Sequence, residues 1–180
     1  RNVVYAGDGD DTIYGGNFDR MGSSGEMLNG GAGDDMIDAR SAHGYASSDD
    51  TEMGHQMLAG AEGNDTLRAD ISFATMSGGE GADEFWIGGG STYSNGGHAR
   101  VQATITDYEA GETIWVERYS VDAPVFVGET DGPLAEGEIG YYRDGSDTVI
   151  EANSGTDILH DLTIRLEGYS GPLSLDDFIL

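Results

Sequence analysis

Apolar side chains recur at intervals of nine residues through the first half of the chain, and glycine and acidic residues fill much of the sequence between them. The positions of this ladder are Ile13, Leu28, Ile37, Leu58, Leu67, Met76 and Phe85. One apolar residue in each nine-residue unit predicts short strands that each point one side chain inward. The register shifts twice, in the turn at 15–26 and in a longer insertion between Ile37 and Leu58.

Four segments of this half align without gaps. They are AGDGDDTIY from Ala6, GGAGDDMID from Gly30, GAEGNDTLR from Gly60 and GGEGADEFW from Gly78. Each has Gly at its fourth position, Asp at its sixth and an apolar residue at its eighth. Because Gly tolerates a left-handed backbone, the first six residues predict a tight turn and the last three a short strand. Two such units would complete one coil.

The repeat resembles the glycine-rich nonapeptide G-G-x-G-x-D-x-U-x of RTX proteins, where U is apolar. In the second half, GADEFWI, ITDYEAGE, DTVIEA, IRLEGY and LSLDDFIL are similar to the C-terminal region of that family, which includes serralysin-type metalloproteases. The resemblance implies an all-β chain: a calcium-binding parallel β-roll, which is a solenoid, followed by a β-sandwich-like capping region. With only four good nonads, a broken register and a long insertion, fewer ions are expected than in a regular roll.

Calcium takes six to eight oxygen ligands at about 2.3–2.6 Å. Glycine-rich turns expose carbonyl groups, so an ion between two stacked turns would be bound by these and by the sixth-position Asp of each turn. We expect Asp65 to stack on Asp83, 18 residues later, and Asp11 to stack on Asp35. The predicted calcium ligands, side-chain or backbone, are Ala6, Asp8, Asp10, Asp11, Gly30, Ala32, Asp34, Asp35, Gly60, Glu62, Asn64, Asp65, Gly78, Glu80 and Asp83.

Two alternatives remain for these metal assignments. The fifth-position residues Asp10, Asp34 and Asn64 could simply be polar loop residues that face solvent. Zinc is the competing metal because four histidines are present. They are His43, His55, His98 and His160. With no H-E-x-x-H motif and no close histidine pair, scattered surface histidines are the better interpretation.

The second half alternates apolar and polar residues in a way typical of strands, and Asp144-Gly145 between two such runs predicts a hairpin. An open solenoid end needs a cap, because it exposes unpaired backbone and apolar side chains. We therefore predict a β-roll over 1–88 and a capping and secretion region over 89–180.

The formal charge of −26, with eight arginines and no lysine, makes nucleic acid and anionic membranes improbable partners. Self-repulsion of this size opposes compaction, so the folded state should require cations or high salt. The chain has no cysteine to form disulfides, and no hydrophobic run approaches the roughly 20 residues of a membrane helix. Membrane insertion is not expected.

These features favour a secreted, extracellular module without catalytic activity, belonging to a larger protein. It would fold when calcium binds outside the cell and would carry a C-terminal signal for a type I secretion apparatus. The terminal residues 176–180, DDFIL, resemble such a signal, although an edge strand would have the same pattern. No nucleophile motif or phosphate-binding loop is visible.

The alternative function is recognition of a polysaccharide, a cell surface or ice by a calcium-stabilised module. The candidate residues for this function are His43, Tyr45, His55, Trp86, Tyr93 and Trp115. Aromatic residues in this setting belong to the core more often than to a ligand site.

Overall fold

The computed structural model describes residues 2–15, 25–39, 55–69, 73–88, 101–116, 124–153 and 162–180. The strands in these ranges are β1 Val3–Asp8, β2 Thr12–Tyr14, β3 Met27–Ala32, β4 Met36–Asp38, β5 Gln56–Glu62, β6 Thr66–Ala69, β7 Ala74–Glu80, β8 Glu84–Ile87, β9 Val101–Ile105, β10 Thr113–Val116, β11 Val125–Glu129, β12 Glu138–Asp144, β13 Asp147–Asn153, β14 Leu162–Leu166 and β15 Phe178–Ile179. A short 3-10 turn, Leu175–Asp177, precedes β15. No helix in the described ranges is long and apolar enough to cross a membrane.

Successive strands of the first half alternate between two sheets. β1, β3, β5, β7 and β9 pair in parallel in one sheet, and β2, β4, β6, β8 and β10 do so in the other. Each strand therefore pairs with the strand two places along the chain, which is the connectivity of a parallel β-roll. The predicted all-β class and roll architecture are confirmed.

The predicted apolar ladder forms the core between the two sheets. Ile13 is 6% exposed, and the other six members are 2% exposed or less. Leu28, Leu58 and Met76 align in one sheet, and Ile37, Leu67 and Phe85 align in the other. Because neighbouring strands lie about 4.8 Å apart, each apolar side chain packs on its counterpart in the next coil.

The strands of the first sheet extend further than the nonapeptide pattern predicted. β3, Met27–Ala32, includes the first three positions of its nonad, so only 33–35 form the turn. The reason is the register, since Gly31 pairs with Gly7 and Ala32 with Asp8 in the preceding coil. Backbone pairing therefore continues into the glycine-rich segment.

The roll continues beyond residue 88. β9 pairs with β7, and β10 pairs with β8 through the register of Thr113 with Glu84. Residues 107–112, between these two strands, form a fifth turn stacked on the fourth. The division at residue 88 stays a prediction, but parallel pairing itself crosses it.

The C-terminal strands extend the sheets of the roll. β14 pairs in parallel with β9, β13 and β12 follow in antiparallel pairing, and β11 lies at the edge. The predicted hairpin is confirmed between β12 and β13, with Gly145 at φ 67° in its two-residue loop. β15 pairs with β10, so the chain end covers the last coil of the second sheet.

Candidate metal centre

The four sixth-position aspartates lie in one column along a single edge of the roll. The backbone N–H of Asp11 donates to Oδ1 of Asp35, at 2.8 Å. Asp35 N–H donates in the same way to Asp65, and Asp65 N–H to Asp83, again at 2.8 Å. The stacking expected for Asp11 on Asp35 and for Asp65 on Asp83 is present, and the column is continuous because Asp35 also contacts Asp65.

The second carboxylate oxygen of each of the last three aspartates is buried without a hydrogen-bond donor. These atoms are Oδ2 of Asp35, Asp65 and Asp83. The three residues are 3% exposed or less. A buried carboxylate oxygen without a partner is costly unless it is protonated or contacts a cation. The edge of the roll therefore carries three successive carboxylates, each with one buried oxygen atom that a cation could bind.

The glycine at the first position of each of these nonads makes room for the carboxylate. A Cβ added at Gly30 would lie 2.0 Å from Oδ2 of Asp35. A Cβ added at Gly60 or Gly78 would lie equally close to Oδ2 of Asp65 or Asp83. These glycines are required by close approach. The glycines at the fourth position, such as Gly63 at φ 128°, are required by backbone conformation.

The first nonad departs from this arrangement because it has Ala6 at the first position. At the equivalent glycines an added Cβ would lie 2.0 Å from the carboxylate oxygen, so the Ala6 side chain is incompatible with the same carboxylate position for Asp11. Asp11 is also less buried than the other three aspartates. Of the predicted ligands in this turn, Asp8 and Asp10 are exposed.

Burial and mutual repulsion disfavour the charged forms of two aspartates of the column, Asp65 and Asp83. Desolvation raises the pKa of Asp65 to about 6, against a hydrogen bond from Asp35 N–H that lowers it, and the charges of Asp83 and Asp35 raise it further. Desolvation likewise raises the pKa of Asp83. A divalent cation would remove this cost because it neutralises neighbouring carboxylates together.

The fifth-position residues do more than face solvent. Asp34 N–H donates to Oδ1 of Asp10 at 3.0 Å, and Asn64 N–H donates to Oδ1 of Asp34 at 2.8 Å. Ala82 N–H completes the series by donating to Oδ1 of Asn64 at 3.0 Å. These bonds run from each turn to the preceding one, opposite in direction to the sixth-position bonds. Exposed side chains thus help to set the spacing between turns.

The carbonyl groups at the third position of the nonads, which are among the predicted ligands, also accept hydrogen bonds between coils. The carbonyls of Ala32, Glu62 and Glu80 accept hydrogen bonds of 2.6–2.8 Å from glycine N–H groups of the preceding coil. A carbonyl oxygen has two lone pairs, so one remains for a cation. The side chains of Glu62 and Glu80 are exposed.

The fifth turn carries acidic residues that sequence reasoning did not include. Glu112 lies beside Asp83 and is 4% exposed. Asp107 accepts hydrogen bonds from Ser77 Oγ at 2.6 Å and from the N–H groups of Gly78 and Gly79 at 3.1 Å. The sequence DYEAGE has neither the glycines nor the sixth-position aspartate of a nonad, so the turn is revealed by the pairing of Thr113 with Glu84.

The donor set fits calcium better than zinc. No group of three or more histidine, aspartate or glutamate side chains suited to a metal ion occurs in the ranges that the structure describes. Each pair of stacked turns provides two carboxylates, and the other ligands must be backbone oxygens, a mixture typical of calcium. His55 bonds Thr75 Oγ1 at 2.7 Å, away from the column, whereas His43, His98 and His160 lie outside the described residues.

A parallel β-roll with a column of buried acidic residues along one edge is the architecture of a metal-binding repeat protein. Residues 1–20, 22–43 and 59–93 match the family model of the RTX calcium-binding nonapeptide repeat, described as four copies. These matched segments contain all four nonads, so the chain carries RTX repeats, and such repeats are calcium-binding.

Two solved structures are similar to the chain, both from the mannuronan C5-epimerase of Azotobacter vinelandii. The solution structure of its AlgE6R2 subunit has a TM-score of 0.48 and 18% identity, covering 98% of this chain and 91% of that one. The AlgE6R3 subunit has a TM-score of 0.43 and 22% identity, covering 96% and 78%. A search among curated proteins found no match.

Proposed function

We propose that this chain is a calcium-triggered folding module of a larger secreted protein. The observation that carries the proposal is the column of Asp35, Asp65 and Asp83, whose buried Oδ2 atoms have no donor in the described structure. The predicted ligand residues listed from Ala6 to Asp83 remain part of this proposal, with the sixth-position carboxylates as the side-chain ligands. The function requires no catalytic group.

The free energy of calcium binding would become free energy of folding. At a net charge of −26 the chain repels itself, and an unfolded chain keeps its carboxylates apart and solvated. Stacking the turns brings the carboxylates together in a buried column, which is unfavourable until cations bind. Calcium therefore favours the folded state by mass action, weakly where calcium is scarce and strongly at extracellular concentrations.

Circular dichroism with thermal melting tests this proposal. Adding excess EDTA to the purified chain should greatly reduce the β signal and lower Tm, and calcium should restore both. Magnesium at equal concentration is the control, because it prefers a rigid octahedral site and keeps much of its water. A β signal and a Tm that do not change with EDTA would contradict the proposal.

The proposed C-terminal export signal coincides with part of the cap. Phe178 is 6% exposed, pairs with Ile114 of β10 and packs on Phe126 at a ring-centroid distance of 5.2 Å. Tyr108 OH also contacts Oδ1 of Asp177 at 3.1 Å. Folding would therefore bury residues that a transporter must reach, so export of the unfolded, calcium-free chain fits this arrangement.

Deletion of 175–180 separates export from stability. The deletion should block export from a host with a type I apparatus, and it should also lower the Tm of the purified chain. A matched variant, Phe178→Ala, keeps the length and acidic residues of the terminus but loses the packing. If Phe178→Ala is exported and the deletion variant is not, the result supports a signal in this segment. Normal export of the deletion variant would place the signal elsewhere.

The alternative function, recognition of a carbohydrate or surface, has less support from the structure. Trp86 and Trp115 stack with ring centroids 3.8 Å apart and an interplanar angle of 15°. The Arg68 guanidinium lies 4.0 Å from the centroid of Trp86, on the strand at its other side. The faces of Trp86, which a sugar ring would need, are therefore covered. Tyr45 and Tyr93 lie outside the described residues, and a glycan array in calcium would test this alternative.

A further inference from the structure

The fifth turn stacks on the fourth in the same way as the nonapeptide turns stack on one another. Thr113 N–H donates to the carbonyl of Asp83 at 3.0 Å, as Glu84 N–H does to Asp65 at 2.8 Å and Thr66 N–H to Asp35 at 2.8 Å. This bond places Glu112 in the position that a sixth-position aspartate occupies in the other turns. Residues 107–112, in sequence DYEAGE, thus form a cryptic turn that is longer than the three-residue turn 81–83 on which it stacks.

Asp83 and Glu112 form a buried acidic pair. They are 1% and 4% exposed, and no basic side chain in the described ranges forms an ion pair with either. Oδ1 of Asp83 accepts the Asp65 N–H, but Oδ2 has no donor among the described residues. Asp107 adds a third charge nearby, and both of its own oxygens already accept hydrogen bonds from 77–79.

The longer side chain of Glu112 explains how this turn differs from a nonad. One of its oxygens, Oε2, accepts the Glu109 N–H of its own turn at 2.8 Å, which turns the carboxylate back over the loop. Desolvation and the negative charge of Asp83 raise the pKa of Glu112 to about 8, against the Glu109 N–H bond, which lowers it.

We propose that the fourth and fifth turns hold a further calcium ion, bound by the carboxylates of Asp83 and Glu112. The inference rests on the proposed function, and it extends the calcium-binding edge to a turn without the nonapeptide sequence. A divalent ion neutralises both carboxylates, whereas one shared proton neutralises only one. This ion would tie the roll to the cap, because Tyr108 of the same turn contacts the Glu112 carbonyl at 3.0 Å and Asp177.

Counting bound calcium in three proteins tests the proposal. Native mass spectrometry and titration calorimetry should find one ion fewer in Glu112→Gln than in the unmodified chain. Glu109→Gln removes the same charge from an exposed side chain three residues away and should keep the full count. Glutamine can donate to Asp83 as a protonated glutamate would, so the contact between the turns is preserved. An unchanged count in Glu112→Gln would overturn the proposal.

The outcomes separate this inference from the proposed function. An unmodified chain that binds no calcium would contradict both, whereas normal binding with no loss in Glu112→Gln contradicts only the fifth-turn site. If Glu112→Gln does not fold, terbium replaces calcium in the unmodified chain and in Tyr108→Phe, since Tyr108 lies at the site and can sensitise terbium emission. Emission should fall in Tyr108→Phe, and equal emission in both proteins would overturn the proposal.

Discussion

Acidic residues are in opposite environments on the acidic edge of the roll, which carries Asp35, Asp65 and Asp83, and in the C-terminal hairpin β12–β13. At the hairpin loop, Asp144 and Asp147 accept hydrogen bonds of 2.7 and 2.8 Å from the guanidinium of Arg165, on the neighbouring strand β14. The Gly168 N–H, together with Arg165, lowers the pKa of Asp147. On the acidic edge, burial raises the pKa of Asp65 to about 6.

Under the proposed function, the difference identifies the part of the fold that we expect to depend on an external cation. Asp144 and Asp147 at the hairpin loop are paired with Arg165 of β14 and with the Gly168 N–H, so these two charges have partners within the chain. On the acidic edge, Oδ1 of Asp35, Asp65 and Asp83 accepts one backbone N–H each, but the Oδ2 atoms have no donor in the described structure. No basic side chain of the described ranges pairs with these aspartates, and their carboxylates repel one another. The apolar ladder of the roll favours the folded state, but the acidic edge opposes it until calcium binds.

The largest expected effect on stability comes from Phe178 of β15, which pairs with β10 of the roll and packs on Phe126 of β11. Phe178→Ala should lower the free energy of unfolding by about 3–5 kcal/mol, because a large, fully packed side chain is lost. Leu175→Ala is the control, since Leu175 is 58% exposed and should change stability by less than about 0.5 kcal/mol. Urea denaturation in saturating calcium measures both, and equal effects would mean that the chain end does not cap the roll.

A smaller effect is expected from the glycine that faces a carboxylate. Gly60→Ala would place a Cβ 2.0 Å from Oδ2 of Asp65 and 2.6 Å from the Gly78 carbonyl. We expect a loss of about 1–3 kcal/mol in calcium, together with weaker calcium binding, because the carboxylate must move. Gly132→Ala meets only Thr130 Oγ1 at 4.0 Å and serves as the matched control. Equal calcium affinities in the two variants would contradict the proposed ligand position.

The smallest effect concerns pH and has opposite signs with and without calcium. The pKa of Asp65 is raised to about 6 and that of Glu112 to about 8, so the folded, calcium-free chain binds protons that the unfolded chain releases. This stabilisation is complete below the unfolded pKa near 4 and is lost as pH rises through 6 and then 8. In EDTA, Tm should therefore be a few degrees higher at pH 5 than at pH 8.

With saturating calcium the order should reverse, because protons compete with the cation for the same carboxylates. Thermal melting at the two pH values, each with calcium and with EDTA, measures the sign directly. A Tm in EDTA that rises from pH 5 to pH 8 would mean that the buried carboxylates are not the groups that titrate.

The roll could be predicted from the sequence because its two periodic signals are strong. The apolar ladder and the nonapeptide spacing identified the buried positions, and the 18-residue interval placed Asp65 beside Asp83. The hairpin at Asp144-Gly145 was also visible, since Asp-Gly between two strand-like runs is a typical hairpin turn, and Gly145 adopts the positive φ of 67° that such a turn favours. In these segments local sequence and global fold specify the same structure.

The fifth turn could not be predicted because its sequence lacks the signals of a nonad. Asp107 replaces the first glycine, Glu112 replaces aspartate, and Ile114 stands 29 residues after Phe85. Only pairing with the preceding coil reveals the turn. The hydrogen bonds within the columns at the fifth and sixth positions could not be predicted either. Their donors are backbone N–H groups, and the direction of these groups depends on how the turns stack.

Hydrogen exchange measured with calcium and with EDTA tests the central claim, that calcium stabilises the roll through its acidic edge. We expect the amides of Gln56–Glu62 to lose at least about tenfold of their protection when calcium is removed, because local opening costs less there without the cation. The amides of Asp147–Asn153 in the hairpin should lose much less. Protection of Gln56–Glu62 that is the same in calcium and in EDTA would contradict the account.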